Sequence, residues 1–184
     1  LGTGPSLDKV SQKEWEGLAG EVTFGVNTLL AKPNLPFTPT LYCVSESTWL
    51  EGVSIPKVIE PFQKLPKYRF YSHHWPLEGL EEQSWRFVQL ASGKEVSSGD
   101  FQGLGDTLPY VAVGGSVVVF ALQLACWFGF RDVCLMGCDA STAGHARGLS
   151  ISENDDRRAD QERFIRSVTV AEEAVARAGR RLVN

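Results

Sequence analysis

Small and polar residues stand at several points where this sequence can hold a phosphate-bearing ligand. Gly2-Thr3-Gly4-Pro5-Ser6-Leu7 opens the chain. Small side chains let backbone amides approach an anion, and a helix start after them adds a favourable dipole. The block is not G-x-G-x-x-G, because Leu7 stands at the third glycine. It is not a Walker loop either, because Gly-Lys-Ser/Thr is missing. The alternative reading is a tight turn that only joins strand to helix. Gly114-Gly115-Ser116, ahead of an apolar run, is a second start of this kind, with close helix–sheet packing as its alternative. Two such blocks point to a nucleotide. Asn27, Ser45 and Asp139 each follow an apolar run. Asp139 can accept hydrogen bonds from ribose hydroxyls or hold a metal, or it can cap a turn.

For proton transfer the candidate is His145, in Ala143-Gly144-His145-Ala146-Arg147-Gly148. A histidine near its ordinary pKa can take a proton from a hydroxyl nucleophile, although a loop histidine is also commonly just solvated. His73-His74 has no cysteine or carboxylate at ligand spacing and reads as structural. Arg157, Arg158, Arg163 and Arg166 can reach a phosphate or form a charged solvent face. Neither a Ser-His-Asp ordering nor H-E-x-x-H is present, so hydrolase chemistry has little support. Cys43, Cys126, Cys134 and Cys138 form no C-x-x-C pair, which argues against a zinc knuckle and for four reduced thiols. No metal ligand set is expected.

These residues need a scaffold that gathers them from distant parts of the chain. The 184 residues suit a single domain. With 18 Lys and Arg against 22 Asp and Glu, the net charge is −4. That lacks the cationic surplus a nucleic-acid binder uses to displace counterions. Ser6 to Gly20 reads as two helical pieces, with Ser11-Gln12-Lys13-Glu14 as a capping box. Val22–Val26, Leu41–Val44 and Val53–Ile59 read as strands, Ala31–Pro36 as a loop and Glu46–Leu50 as a short helix. The segment from about 61 to 110 reads as a loop-rich insertion carrying two strands, Tyr68–Ser72 and Trp85–Leu90. Tyr110 to Phe130 has no charged residue. Ser116 as N-cap and Gly129 as C-terminal stop trim it to a helix over Val117–Phe128. At 1.5 Å per residue that is about 18 Å, too short to cross a bilayer. Asp132–Gly137 reads as a strand buried on both faces. Asn154–Ala178 reads as an amphipathic helix burying Phe164, Ile165, Val168 and Val175, with Arg181–Asn184 opening another strand.

The alternation predicts an α/β fold: a Rossmann-like, doubly wound, mostly parallel sheet in one domain spanning residues 1–184. In such folds ligands bind outside the carboxyl ends of the strands, where strand order reverses. A strand is expected before the Gly2 turn, and the chain supplies only Leu1 of it. The sequence is therefore read as truncated there, and the last strand as incomplete.

Taken in order, Gly2-Thr3-Gly4-Pro5-Ser6-Leu7, Phe24-Gly25-Val26-Asn27, Gly114-Gly115-Ser116-Val117, Gly129-Phe130 and Leu135-Met136-Gly137-Cys138-Asp139 resemble two groups of proteins. One is the bacterial sialyltransferases of glycosyltransferase family 42, with a G-N-G-P-S-L opening and an S-G…L-S-G-I-D block. The other contains the archaeal 6-hydroxymethylpterin pyrophosphokinases and flagellin-associated motility accessory factors, whose G-x-D loop often continues to a histidine. The first resemblance implies a nucleotide-sugar transferase. Gly2, Thr3, Gly4, Pro5, Ser6, Asn27, Ser45, Gly114, Gly115, Ser116 and Asp139 would bind the nucleotide, and His145 would be the general base toward a small-molecule or glycan acceptor. The sequence departs from that family at Thr3, where the family has Asn, and in lacking tyrosines after Tyr110. The second resemblance implies a diphosphotransferase that uses ATP and Mg. A nucleotide-binding module without catalysis is the third reading. No other cofactor is expected, a cytoplasmic location is, and a homo-oligomer is left open.

Overall fold

The computed structural model describes residues 1–44, 62, 66–72, 84–89, 110–111, 116–140 and 158–183. The helix expected at Glu46–Leu50, the strand at Val53–Ile59, Ser45, His73-His74, Gly114, Gly115, His145 and Arg157 lie outside the described residues.

The chain is α/β with parallel strands. Strands β1 (Phe24–Val26), β2 (Leu41–Val44), β3 (Tyr68–Ser72), β4 (Ser84–Gln89) and β5 (Tyr110–Val111) form one sheet in sequence order. Every neighbouring pair in it is parallel. Strands β6 (Asp132–Cys134) and β7 (Arg181–Val183) form a second parallel pair. The segment read as a loop-rich insertion thus supplies β3, β4 and the start of β5 to the main sheet.

A parallel sheet is stable only when both faces are covered, and β2 shows how this chain meets that requirement. All four of its residues are buried. Leu41 and Cys43 point into a core with Val26, Phe70 and the helix α2 (Val117–Trp127). Tyr42 and Val44 point into a second core with Leu7, Trp15, Leu29, Phe62 and Tyr71. The second core is closed by a 3-10 turn over Pro5–Lys9 and by α1 (Gln12–Gly17). Those are the two expected helical pieces, and the Ser11/Glu14 capping box is fully formed.

Ten consecutive residues of α2, Val117 to Cys126, are buried. Ser116 caps the helix, its hydroxyl accepting the Val118 N–H at 3.2 Å, and Gly129 ends it in the left-handed region (φ +83). The one strongly polar side chain inside, Gln123, donates to the Val119 carbonyl one turn back. The Arg180 guanidinium donates to the Cys126 carbonyl at 2.7 Å, placing positive charge at the helix carboxyl end. No described helix is long and apolar enough to cross a membrane.

Three expectations need correction. The helix α3 (Arg158–Arg177) buries Phe164, Ser167, Ala171, Ala174 and Val175, with Val168 partly buried against the same core. Ile165 is 47% exposed. One residue past Phe164 is a rotation of about 100° on a helix, which carries Ile165 off the buried stripe. Strand β6 is not buried on both faces. Val133 packs on the core, whereas Asp132 and Cys134 are exposed, and Asp132 pairs with Arg181 across the ladder at 2.6 Å. Finally, the stretch read as loop from Ala31 begins inside a 3-10 turn, Leu29–Ala31.

Phe120 is fully buried and meets Phe70 edge-on, ring centroids 6.4 Å apart. Phe120→Ala is expected to cost about 3–5 kcal/mol, read as a lower midpoint in urea unfolding with an unchanged slope.

Candidate functional site

The opening turn sits against the loop that follows β6, and its backbone donors are spent there. The Gly2 N–H donates to the Met136 carbonyl at 2.8 Å and the Gly4 N–H to the Gly137 carbonyl at 2.7 Å. The Ser6 N–H donates to Asp139 Oδ2 at 2.9 Å, and Pro5 has no N–H to offer. The glycines are required by this approach: a Cβ on Gly2 would overlap the Gly137 carbonyl, and one on Gly4 the Asp139 carboxylate. Gly137 is left-handed (φ +68), and the buried Leu7 side chain fills the space its Cβ would take. That packing is why Leu7 can stand where a dinucleotide-binding turn has its third glycine. Asp139 is exposed, and its carboxylate stands at the start of the 3-10 turn, the cap reading of that residue.

On the other side of the turn lies the carboxyl end of β1. The Leu1 amino group donates to the Phe24 carbonyl at 2.6 Å. Leu7, six residues on, shares a core with Leu29, so the opening segment advances in the direction of β1. Asn27, directly after β1, is left-handed (φ 45) and its N–H donates to the Cys43 carbonyl at 3.0 Å. Among the described residues, Asn27 Oδ1 and Thr28 Oγ1 are buried with no hydrogen-bond partner. Buried polar atoms are ordinarily paired, so an orphaned amide oxygen at a strand's carboxyl end marks a place for a donor.

Tyr42 buttresses this corner. Its phenol donates to the Asn27 carbonyl at 2.8 Å and to the Val26 carbonyl at 3.2 Å, and accepts the Leu30 N–H at 2.9 Å. Burial pushes its pKa upward, so it stays protonated and keeps donating. Tyr42, Thr28 and the Leu1 amino group stand outside the residues that the sequence pattern singles out. A tyrosine inside an otherwise apolar strand was the available signal for the first, because a buried phenol must find a partner.

The structure therefore brings Gly2–Ser6 and Asp139 into direct contact and sets Asn27 at the neighbouring strand end. Ser116 is engaged as a helix cap. Among the described residues no group of three or more His, Cys, Asp or Glu can hold a metal ion. All four cysteines are free: Cys43, Cys126 and Cys138 are buried and Cys134 is exposed. Arg166 is exposed on α3. No family model, curated protein or solved structure matches the chain.

Two outcomes follow from these contacts. Tyr42→Phe leaves the Leu30 N–H and Asn27 carbonyl without their partner and is expected to lower stability by about 1–3 kcal/mol, read in denaturant unfolding. The Leu1 amino group, for the chain beginning at Leu1, is buried facing the Cys43 and Cys138 thiols, with Glu21 and Asp132 on the walls of the adjoining cleft. Burial pushes its pKa below the ordinary value of 8.0. Between the lowered pKa and 8.0 the unfolded chain binds more protons than the folded one, so stability rises with pH across that window and is lost below it. Nα-acetylation is expected to remove that rise, checked by comparing melting temperatures of the acetylated and free chains from pH 6 to 8.5.

Proposed function

We propose that this chain is a nucleotide-dependent transferase, glycosyltransferase-like, whose nucleotide lies at the carboxyl ends of β1 and β6. The observation that carries the reading is Asn27 Oδ1 at the carboxyl end of β1, buried and without a partner among the described residues. An amide oxygen needs a donor, and a nucleoside offers ribose hydroxyls or a base amine, whereas a phosphate does not. The strand pattern supports the same position. Order runs outward from β1 to β5, and the chain then returns through α2 to β6 and β7. A Rossmann-like, doubly wound arrangement has its ligand crevice at such a reversal.

The opening turn shapes this crevice more than it binds. Its Gly2, Gly4 and Ser6 amides are already paired, so the phosphates are assigned to the Gly114-Gly115-Ser116 block of the sequence ahead of α2. His145 takes the proton of an acceptor hydroxyl. The new bond forms from that oxygen to the transferred group as its bond to phosphate breaks, and the nucleotide leaves with the bonding electrons. Asp139 is held by the Ser6 N–H, which fits a positioning role better than metal ligation, so the nucleotide-sugar reading is preferred to the ATP and Mg one.

Calorimetry against cytidine, uridine and adenosine mono- and diphosphates tests this. One nucleotide series is expected to bind. Asn27→Gly, which keeps the left-handed backbone, should weaken it by about 10-fold or more, the worth of one buried hydrogen bond. His145→Ala should leave affinity intact and abolish transfer. No heat with any of the nucleotides would sink the reading.

A further inference from the structure

Two hydroxyls stand at the carboxyl end of β1 and are treated in opposite ways. The Tyr42 phenol is fully engaged: it donates to the Val26 and Asn27 carbonyls and accepts the Leu30 N–H. The Thr28 hydroxyl, on a residue only 9% exposed, has no partner among the described residues.

Its position makes that unusual. Thr28 stands directly ahead of the Leu29–Ala31 turn, where a threonine side chain ordinarily accepts the N–H of the second or third residue. Neither amide is left for it. The Leu30 N–H goes to the Tyr42 phenol at 2.9 Å, and the Ala31 N–H to the Thr28 carbonyl at 2.8 Å. The Thr28 backbone (φ −86, ψ 5) also lies outside the extended region from which a capping side chain reaches its amide. Tyr42 has taken the place of the cap, and the Thr28 hydroxyl is left over.

An unpaired buried hydroxyl destabilises the folded chain. Valine, equally β-branched, would fill nearly the same space without that cost. Local structure therefore gives no reason for a threonine here, and a ligand does. The residue before it, Asn27, carries the other unpartnered oxygen of this corner. Asn27 Oδ1 can only accept, whereas Thr28 Oγ1 can donate or accept. A phosphate oxygen, itself an acceptor, leaves Asn27 unmet. Two hydroxyls on neighbouring carbons each donate and accept, so they satisfy both atoms in either order. A base edge, with its donors and acceptors fixed, satisfies them in one order only.

We propose that Thr28 is a specificity-determining residue of the nucleotide site, which together with Asn27 reads the 2′,3′-diol of a ribose and selects ribonucleotides over deoxyribonucleotides. This deepens the nucleotide reading above and rests on it. The ligand hydroxyls reach the two oxygens by displacing what packs over them. The hydrogen bonds then formed recover the cost that the unpaired groups impose on the free chain.

The test uses the full chain as wild type, Thr28→Val and Thr28→Ser. Calorimetry compares cytidine, uridine and adenosine 5′-diphosphates with their 2′-deoxy and 3′-deoxy forms. In the series that binds, wild type is expected to prefer the ribonucleotide over at least one deoxy form by about 10-fold. Thr28→Val should lose that preference while its affinity for the deoxy form stays unchanged. Thr28→Ser, which keeps the hydroxyl, should retain the preference. Thr28→Val should also melt about 2–4 °C above wild type, because it removes an unpaired group. A lower melting temperature for Thr28→Val would show that the hydroxyl is paired in the folded chain and would overturn the proposal. Equal affinity of wild type for ribo- and deoxynucleotides would overturn it and leave the nucleotide reading standing. So would a Thr28→Val loss that is the same for ribo and deoxy forms but differs between bases, which would assign the hydroxyl to the base edge. Absence of binding by every nucleotide would remove both readings.

Discussion

The interaction on which the rest of this structure depends is the backbone bridge made by residues 1–4. Through Leu1 it holds Phe24 of the main sheet, and through Gly2 and Gly4 it holds the Met136 and Gly137 carbonyls beyond β6. The two sheets otherwise meet through side chains, chiefly those of α2, which packs on β1 and β2, and of α3, which packs on β7 and on α2. Side-chain packing sets an approximate distance between layers, whereas hydrogen bonds fix register to a fraction of an ångström. The relative placement of Asn27 and Asp139, and with it any chemistry that uses both, is set by those few bonds.

This constraint explains the glycines more economically than anion binding does. Gly2 and Gly4 are small because the loop after β6 lies against them, and Gly137 is small because Leu7 lies against it. The result is a turn whose amides are consumed in joining two sheets. Unmet hydrogen-bonding capacity among the described residues is found one strand away, at Asn27 and Thr28, and at the indole of Trp127 at the end of α2. A corner held by the Tyr42 phenol carries an amide oxygen that nothing within the described chain satisfies.

Where local chemistry determines structure, the sequence was legible. Ser116 and Gly129 bound α2 as their capping chemistry requires, and Ser11 with Glu14 forms the expected box. Strands β2 and β3 coincide with the strands expected at Leu41–Val44 and Tyr68–Ser72. Legibility failed where a residue's role depends on what faces it. Ile165 and Phe164 are neighbours of similar hydrophobicity, and only the angle of α3 to the core decides between them. The run Asp132–Gly137 looks like a strand buried on both faces, but what buries a strand is its neighbours, and β6 carries an exposed ion pair with Arg181. At the site, Asn27 and Asp139 were visible as polar residues after apolar runs. The engagement of Asp139 with Ser6 was not, because 133 residues separate them.

The same reasoning separates two roles that Asp139 cannot fill at once. A carboxylate accepting the Ser6 N–H at 2.9 Å supplies the negative charge that the start of a helical turn favours. An anionic ligand bound at that point would have to displace it and would meet its charge at close range. A nucleoside lying toward Asn27 avoids that conflict, because hydroxyl and amine donors are drawn to both the Asn27 amide oxygen and the Asp139 carboxylate. On the proposed reading, the acceptors at this end of the sheet would therefore suit the sugar and base of a nucleotide better than its phosphates.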